Sequence, residues 1–220
     1  RAHGVVLAVC REPRRHELVG NRRAGRELDL AVGRPLVVRD TVAPTLIIVS
    51  PAEGALLNVS TGIAHWTASD NLNGSGLNNT WVKVDLGSWI ELGSADGWIF
   101  SQLGDGEHTL YVKVDDQAGN SVIRSVAFVI DTIAPTAEVS PTGDNQEIDS
   151  VVRIEFSETM NITSVIVSVA GVNGTVAWDG DTLTFTPAAL ENAKEYAVTV
   201  SGRDLAGNAM RLPLAQSMQH

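Results

Sequence analysis

Cysteine is the scarcest useful residue: the 220-residue chain holds one, Cys10, and none beyond Asp40. That excludes a disulfide frame and a thiolate zinc site from the body of the chain. No apolar run approaches the roughly 18 residues of a membrane helix, so no membrane span is expected in this fragment. No signal-peptide pattern or initiator Met is found. The expectation is therefore a piece of a longer protein whose export signal lies elsewhere. Lysine is absent from residues 1–40, where nine Arg meet five acids for a net +4; residues 41–220 carry seven basic and 21 acidic residues, net −14. An acidic body repels nucleic acid and anionic membrane, so no nucleic-acid partner is expected. One reading of the −14 is an acidic or salt-adapted surface carrying cation sites; the favoured one is a charged face that keeps the body soluble and monomeric.

Catalytic patterns are missing as well. The histidines (3, 16, 65, 108 and 220) are scattered, with no H-E-x-x-H, and no nucleophile elbow occurs. No Gly-rich loop leads into a helix, which excludes the usual nucleotide site. Glu155 and Glu158, in RIEFSET, have no matched carboxylate partner, and His108 reads as a strand-start side chain after the GDG turn. No ten-residue amphipathic helical stripe appears anywhere. We read the chain as non-enzymatic.

What the chain does contain is repetition. DTVAPT begins at Asp40 and DTIAPT at Asp131, 91 residues apart; DQAGN begins at Asp116 and DLAGN at Asp204, 88 apart. Two motifs recurring at nearly one spacing mark tandem units, each the size of a small sandwich domain. At 44% apolar and 19% charged, the chain has enough apolar surface to fold. The resulting division is an atypical Arg-rich segment at 1–39, domains at 40–131 and 132–212, and a tail at 213–220.

Alternation with period two predicts strands throughout both units. In the first they are Thr45–Ser50, Gly62–Ser69, Thr80–Asp85, Ser88–Leu92, Gly97–Leu103, His108–Asp115 and Ser121–Ile130. Leu110, Val112 and Val114 should face inward, as should Ala64, Trp66 and Ala68, with His65 outward. Turn residues separate the runs at PAEG (51–54), DNLNGSG (70–76) and GDG (104–106). In the second unit the strands are Thr136–Ser140, Ser150–Ser157, Ser164–Ala170, Gly174–Trp178, Thr182–Thr186 and Glu195–Ser201. WDGDTLTF around 179–181 reads as a hairpin, and a helical turn is expected at Pro187–Asn192. After Asn208 no convincing closing strand is visible. This is an all-β pattern of two tandem β-sandwiches.

Residues 1–39 lack the Thr/Ser/Asn/Gly texture of the rest. A basic arm and a degraded preceding repeat are two readings of them. The preferred one is an out-of-frame translation that returns to frame near Asp40, which the other reading frames of the coding DNA would test. Between the units, Pro135 fixes φ, donates no hydrogen bond and pushes Ala134 toward extended geometry. The joint is therefore expected to be stiff, unlike a Gly/Ser linker.

Together DTVAPT, SPAEGALL, ASDNLNGSGL, LGDGEHTLYVKVDDQAGN and AFVIDTIAPT resemble the Ig-like repeats of large bacterial and archaeal surface proteins and adhesins. FSETM, AWDGDTLTFTP, YAVTVSG and DLAGN resemble the Ig-like domain of bacterial S-layer proteins, the SbsA-like type. The resemblance spans about 41–208. It implies Ig-like sandwich modules in an extended array at the cell surface or outside the cell, with spacer, adhesive or surface-layer roles. Partners would be neighbouring domains of the same larger chain, and surface glycans or other cell-surface proteins. Such modules also occur in secreted depolymerases, so accessory or glycan-binding Ig-like domains of such an enzyme are the alternative.

Three constellations are candidates for ligands. Asp115, Asp116 and Asn120 in one loop, with Asp131 opening the next linker, offer oxygen-only ligands suited to calcium; Asp204, Asn208 and Asp40 are their counterparts. The competing reading, which is favoured, is that these side chains cap tight turns while Gly119 and Gly207 supply positive φ. DNLNGSG is a second oxygen-rich loop, read as a polar turn. Trp81, Trp89 and Trp98 would suit sugar stacking if they formed one exposed platform, though cross-strand packing is the commoner use of Trp on sheets. Five Asn-x-Ser/Thr sequons, at Asn58, Asn73, Asn78, Asn161 and Asn173, are candidate glycosylation sites in an exported chain.

Overall fold

The computed structural model describes residues 26–29, 37–143, 151–191, 194–211 and 214–219. Most of the Arg-rich segment, the start of the strand expected at Ser150 and the end of the turn expected at Asn192 lie outside them. The chain divides into two compact units, Arg1–Val42 and Ala43–His220. In the first, β1 (Arg26–Asp29) and β2 (Val37–Asp40) form an antiparallel pair with Arg26 opposite Asp40.

The larger unit is built on two separate cores. Around the first are β3 (Thr45–Ser50), β4 (Ala55–Leu57), β5 (Gly62–Ser69), β6 (Leu77–Val84), β7 (Ile90–Gly93), β8 (Gly97–Phe100), β9 (Gly106–Asp116) and β10 (Ser121–Ile130). They form a five-stranded sheet, β4-β10-β9-β6-β7, and a three-stranded sheet, β3-β5-β8. Alternation explains the packing: Leu110, Val112 and Val114 of β9 and Ala64 and Trp66 of β5 are buried, while His65 is exposed. Phe100 meets Phe128 across the two sheets, with ring centroids 5.5 Å apart. Each fully buried aliphatic side chain contributes about 1.5–3 kcal/mol, and this face holds the sandwich together.

Around the second core are β11 (Ala137–Ser140), β12 (Val152–Phe156), β13 (Ile166–Val169), β14 (Gly174–Asp179), β15 (Thr182–Pro187), β16 (Glu195–Ser201) and β17 (Leu214–Gln219). The sheets are β11-β12-β15-β14 and β13-β16-β17. Val152, Ile154, Leu183, Tyr196, Val198 and Val200 are buried between them, and Trp178 stacks on Phe156 at 5.6 Å. Among the described residues, none is shared between the two core clusters. The fold is all-β, two tandem β-sandwiches.

Three expectations need correction. A closing strand exists: β17 pairs antiparallel with β16, Glu195 opposite Gln219 and Val200 opposite Leu214. LAQSMQ alternates too weakly to announce it; it is an edge strand, and backbone pairing with β16 defines it. Pro187–Glu191 is not helical, because Pro187 ends the β14–β15 ladder opposite Gly174. Finally, β4 follows directly on the PAEG turn where no strand is expected, and its three residues pair parallel with Phe128–Ile130 of β10.

Candidate functional site

The two Asp-x-Ala-Gly-Asn loops fold alike. Asp116 Oδ1 accepts from the backbone N–H of Ala118 (2.9 Å) and Asn120 (2.8 Å), and its Oδ2 accepts from Asn120 Nδ2 (2.7 Å). Asp204 Oδ1 accepts from Gly207 N (2.6 Å) and Asn208 N (2.8 Å), and its Oδ2 from Asn208 Nδ2 (2.8 Å). Both carboxylates are 1% exposed, and Gly119 and Gly207 have φ of 89° and 98°. A residue with a Cβ rarely adopts that conformation, so glycine is needed where each turn closes. Each Asp thus serves its own turn, three N–H groups to one carboxylate.

The calcium set expected at Asp115, Asp116, Asn120 and Asp131 is not one site. Strands β9 and β10 run antiparallel, with Ser121 opposite Asp115 and Ile130 opposite Gly106. Nine strand steps, about 30 Å, therefore separate the loop from Asp131. Asp115 pairs instead with Lys113 at 3.2 Å. The oxygen-rich DNLNGSG loop joins the Asp116 turn: Asp70 Oδ2 accepts from Gly76 N (2.6 Å), Gln117 N donates to Gly76 O (2.9 Å), and Ala118 N to Ser75 Oγ (3.0 Å).

Asp131 belongs to the junction. Carboxylate oxygens of Asp131, Glu158 and Asp204 lie within 4.8 Å of one another. Burial pushes the Glu158 carboxyl above its ordinary value, the charges of Asp131 and Asp204 add to this, and a hydrogen bond with Asp131 completes it. Glu158 therefore gives up its proton at a higher pH than an ordinary glutamate does. The signal for Glu158 was the polar residue of FSETM, but only folding brings it to the DTIAPT linker.

The linker itself is tied at nearly every residue. Asp131 N donates to Leu57 O (2.9 Å) in the first sandwich, and Asn208 Nδ2 of the second donates to Asp131 O (2.8 Å). Thr132 donates from N (2.7 Å) and Oγ1 (3.0 Å) to Asp105 Oδ1. Ile133 N donates to Asp131 Oδ1 (3.1 Å), and Thr136 N to Ser157 Oγ (2.9 Å). Pro135 is buried.

The three tryptophans do not make one platform. Trp98 lies on β8 and packs toward the core, 6.4 Å from Phe100. Trp81 lies outward on β6, as alternation with the buried Val82 requires, and Trp89 precedes β7. Their rings are covered by lysine: Lys113 Nζ stands 4.5 Å from the Trp81 ring, and Lys83 Nζ lies 5.4 Å from Trp89 and 4.6 Å from Tyr111. A cation over each indole stabilises the sheet face. All five sequon asparagines are exposed; Asn73 sits in a turn with φ 62°, and Asn161 Oδ1 accepts from Thr163 Oγ1 (2.7 Å).

Two tandem sandwiches joined by a bonded linker, each carrying an Asp-x-Ala-Gly-Asn turn, define a class of repeat module. The chain carries tandem bacterial Ig-like repeats: one family model described as a bacterial Ig-like domain matches residues 67–132, and a second of the same description matches 131–217. Similar solved structures include the fibronectin(III)-like modules of Clostridium thermocellum CbhA, at 14% identity over 80% of this chain and 93% of that one, with a TM-score of 0.44. Extracellular cadherin domains 1–4 of protocadherin gamma B7 are similar at 12% identity, 80% and 50% coverage and a TM-score of 0.40. The Bacteroides ovatus protein SGBP-B of the mixed-linkage glucan utilization locus, solved with a mixed-linkage heptasaccharide, is similar at 14% identity, 82% and 48% coverage and a TM-score of 0.31. The chain thus spans about half the length of the latter two. No curated protein matches the sequence. Ig-like domains of this kind are typical of extracellular structural modules, and are typically non-catalytic. Among the described residues, no helix is long and apolar enough to cross a membrane.

Proposed function

We propose that the two sandwiches act as a non-catalytic spacer and adhesive stalk module of a larger exported or cell-surface protein of S-layer type. The observation that carries this reading is the linker, whose bonds to Leu57, Asp105 and Asn208 engage both sandwiches at once. A connection held this way transmits orientation from one domain to the next, which a stalk needs and a flexible tether does not provide. Small-angle scattering of the whole chain tests it. Asp105→Ala and Asn208→Ala together should broaden the distance distribution relative to the parent, while an unchanged profile would sink the stiff-spacer reading. The same runs in millimolar calcium and then EDTA test the calcium expectation. In an exported chain whose host glycosylates the sequons, intact-mass measurement would register occupancy of the exposed asparagines.

The second reading is an accessory or glycan-binding module of a secreted depolymerase. It is favoured by Trp81, Trp89 and Tyr111 lying with two lysines around the outer side of β6, β7 and β9. Affinity electrophoresis against soluble polysaccharides, with Trp89→Ala as the control, separates the two readings.

A further inference from the structure

In the three-stranded sheet of the first sandwich, the side turned away from the core carries no charge. Its aliphatic residues are Ile47 and Val49 of β3, Ile63 of β5 and Ile99 of β8, exposed by 65, 53, 66 and 63%. Ile63 stands directly opposite Ile99 across the ladder. The remaining outward side chains are threonine and serine, with His65 the only titratable group; its Nδ1 lies 2.9 Å from Asp96 O. An exposed set of β-branched aliphatics on one flat sheet face is unusual for surface that meets only water.

The second repeat supplies an internal control. Thr45-Leu-Ile-Ile-Val-Ser-Pro corresponds to Thr136-Ala-Glu-Val-Ser-Pro, the first having one extra residue at the irregularity between Ile48 and Ser50. Ile47 therefore stands where the second repeat has Glu138. There Glu138 faces Glu155, and Ser140 faces Arg153, across the β11–β12 ladder, and all four are exposed. The same sheet of the fold is charged in one repeat and free of charge in the other, so the apolar face is not a requirement of the fold.

We propose that this face is a self-association surface, on which a second copy of the chain docks sheet to sheet. The choice of occupant follows from charge. Residues 41–220 carry net −14, so two copies repel one another except where a surface free of carboxylates lets them meet. A cationic partner would be drawn to the acids elsewhere and would gain nothing from this patch. A face presented identically by both copies makes an isologous contact. Three strands of about six residues give a footprint of about 14 by 20 Å, well short of the roughly 800 Å² per partner of a stable complex. The contact is therefore weak between single copies and gains strength through repetition. It stands independently of the spacer reading.

Sedimentation equilibrium of the full chain, from micromolar to millimolar protein at low and high salt, tests the proposal. The mass should rise with concentration, and more steeply at high salt, which screens the acids and strengthens apolar contact. Ile47→Glu, the residue the second repeat carries at this place, should weaken dimerisation roughly tenfold or more, as should Ile63→Lys. Ile166→Glu, at a 67% exposed position on β13, should leave it unchanged. Ile99→Thr, which keeps β-branching, provides a variant suited to a strand. Circular dichroism checks that each variant is folded. A monomer under all conditions would overturn the proposal, as would association that weakens with salt or persists undiminished in folded Ile47→Glu.

Discussion

His108 has acceptors against both ring nitrogens: Asp85 Oδ2 at 2.8 Å from Nδ1 and the Gly104 carbonyl at 2.8 Å from Nε2. Only the imidazolium can donate from both nitrogens at once, so this pair of acceptors favours the charged form. Burial opposes the charge on His108, but the bonds to Asp85 and Gly104 and the Asp85 charge outweigh it and raise its pKa. Burial likewise pushes Asp85 up, but the bond from His108, the Thr109 N–H (2.7 Å) and the His108 charge hold it below its ordinary value. The signs oppose each other. The His108 contribution is fully present below the ordinary histidine value and is lost as pH rises through its raised one. That of Asp85 is present above the ordinary carboxylate value and is lost as pH falls through its lowered one. The first sandwich should therefore be most stable between those limits, and His108→Gln should flatten the alkaline limb. The loss should be about 1 kcal/mol, kept small because Asp85 is 44% exposed; urea melts from pH 5 to 9 measure it. Nothing local announces this pair, since 23 residues separate its members.

At the scale of the element, the Asp-x-Ala-Gly-Asn turn was legible because Asp, Gly and Asn each have a local reason to be there. Its energetic weight depends on burial, which the sequence does not state. Asp204→Ala strips the acceptor from three donors at a site 1% exposed, and should cost about 3 kcal/mol. Because the cores are separate, urea unfolding followed by intrinsic fluorescence should show the second sandwich shifting and the first unmoved; Asp116→Ala should do the reverse. A common shift of both would mean that the sandwiches unfold as one unit. The same scale explains the missed strands. Ala55–Leu57 and Leu214–Gln219 are an edge triplet and a weakly alternating edge, defined by the partners they bond.

At the scale of the molecule, the junction brings together residues from three places in the chain. Glu158 has its carboxyl raised, first by burial and then by Asp131 and Asp204. A raised acid holds in the fold a proton that the unfolded chain has released. Stability therefore falls as pH rises from the ordinary glutamate value through the raised one, and the cost is complete above it. Glu158→Gln removes that cost. In EDTA at neutral pH its melting temperature should rise by about 2 °C, with a flatter dependence on pH between 4 and 8 by calorimetry. A fall would mean that the Glu158 carboxylate is stabilising as an anion.

Period-two alternation, the 91- and 88-residue spacings and the turn chemistry of DTxAPT and AGN determined the all-β class, the tandem repeat and most strand positions, because strands and tight turns are set by residues close in the chain. The tertiary structure decided which carboxylates meet. Asp131 lies some 30 Å from Asp116 because hairpin β9–β10 runs back on itself, and it finds Glu158 and Asp204 because the second sandwich folds against the linker. It likewise divided the tryptophans between two sheets and set Lys83 and Lys113 over their rings. Strand period gives the face on which a side chain lies; register and packing across the fold give its neighbours.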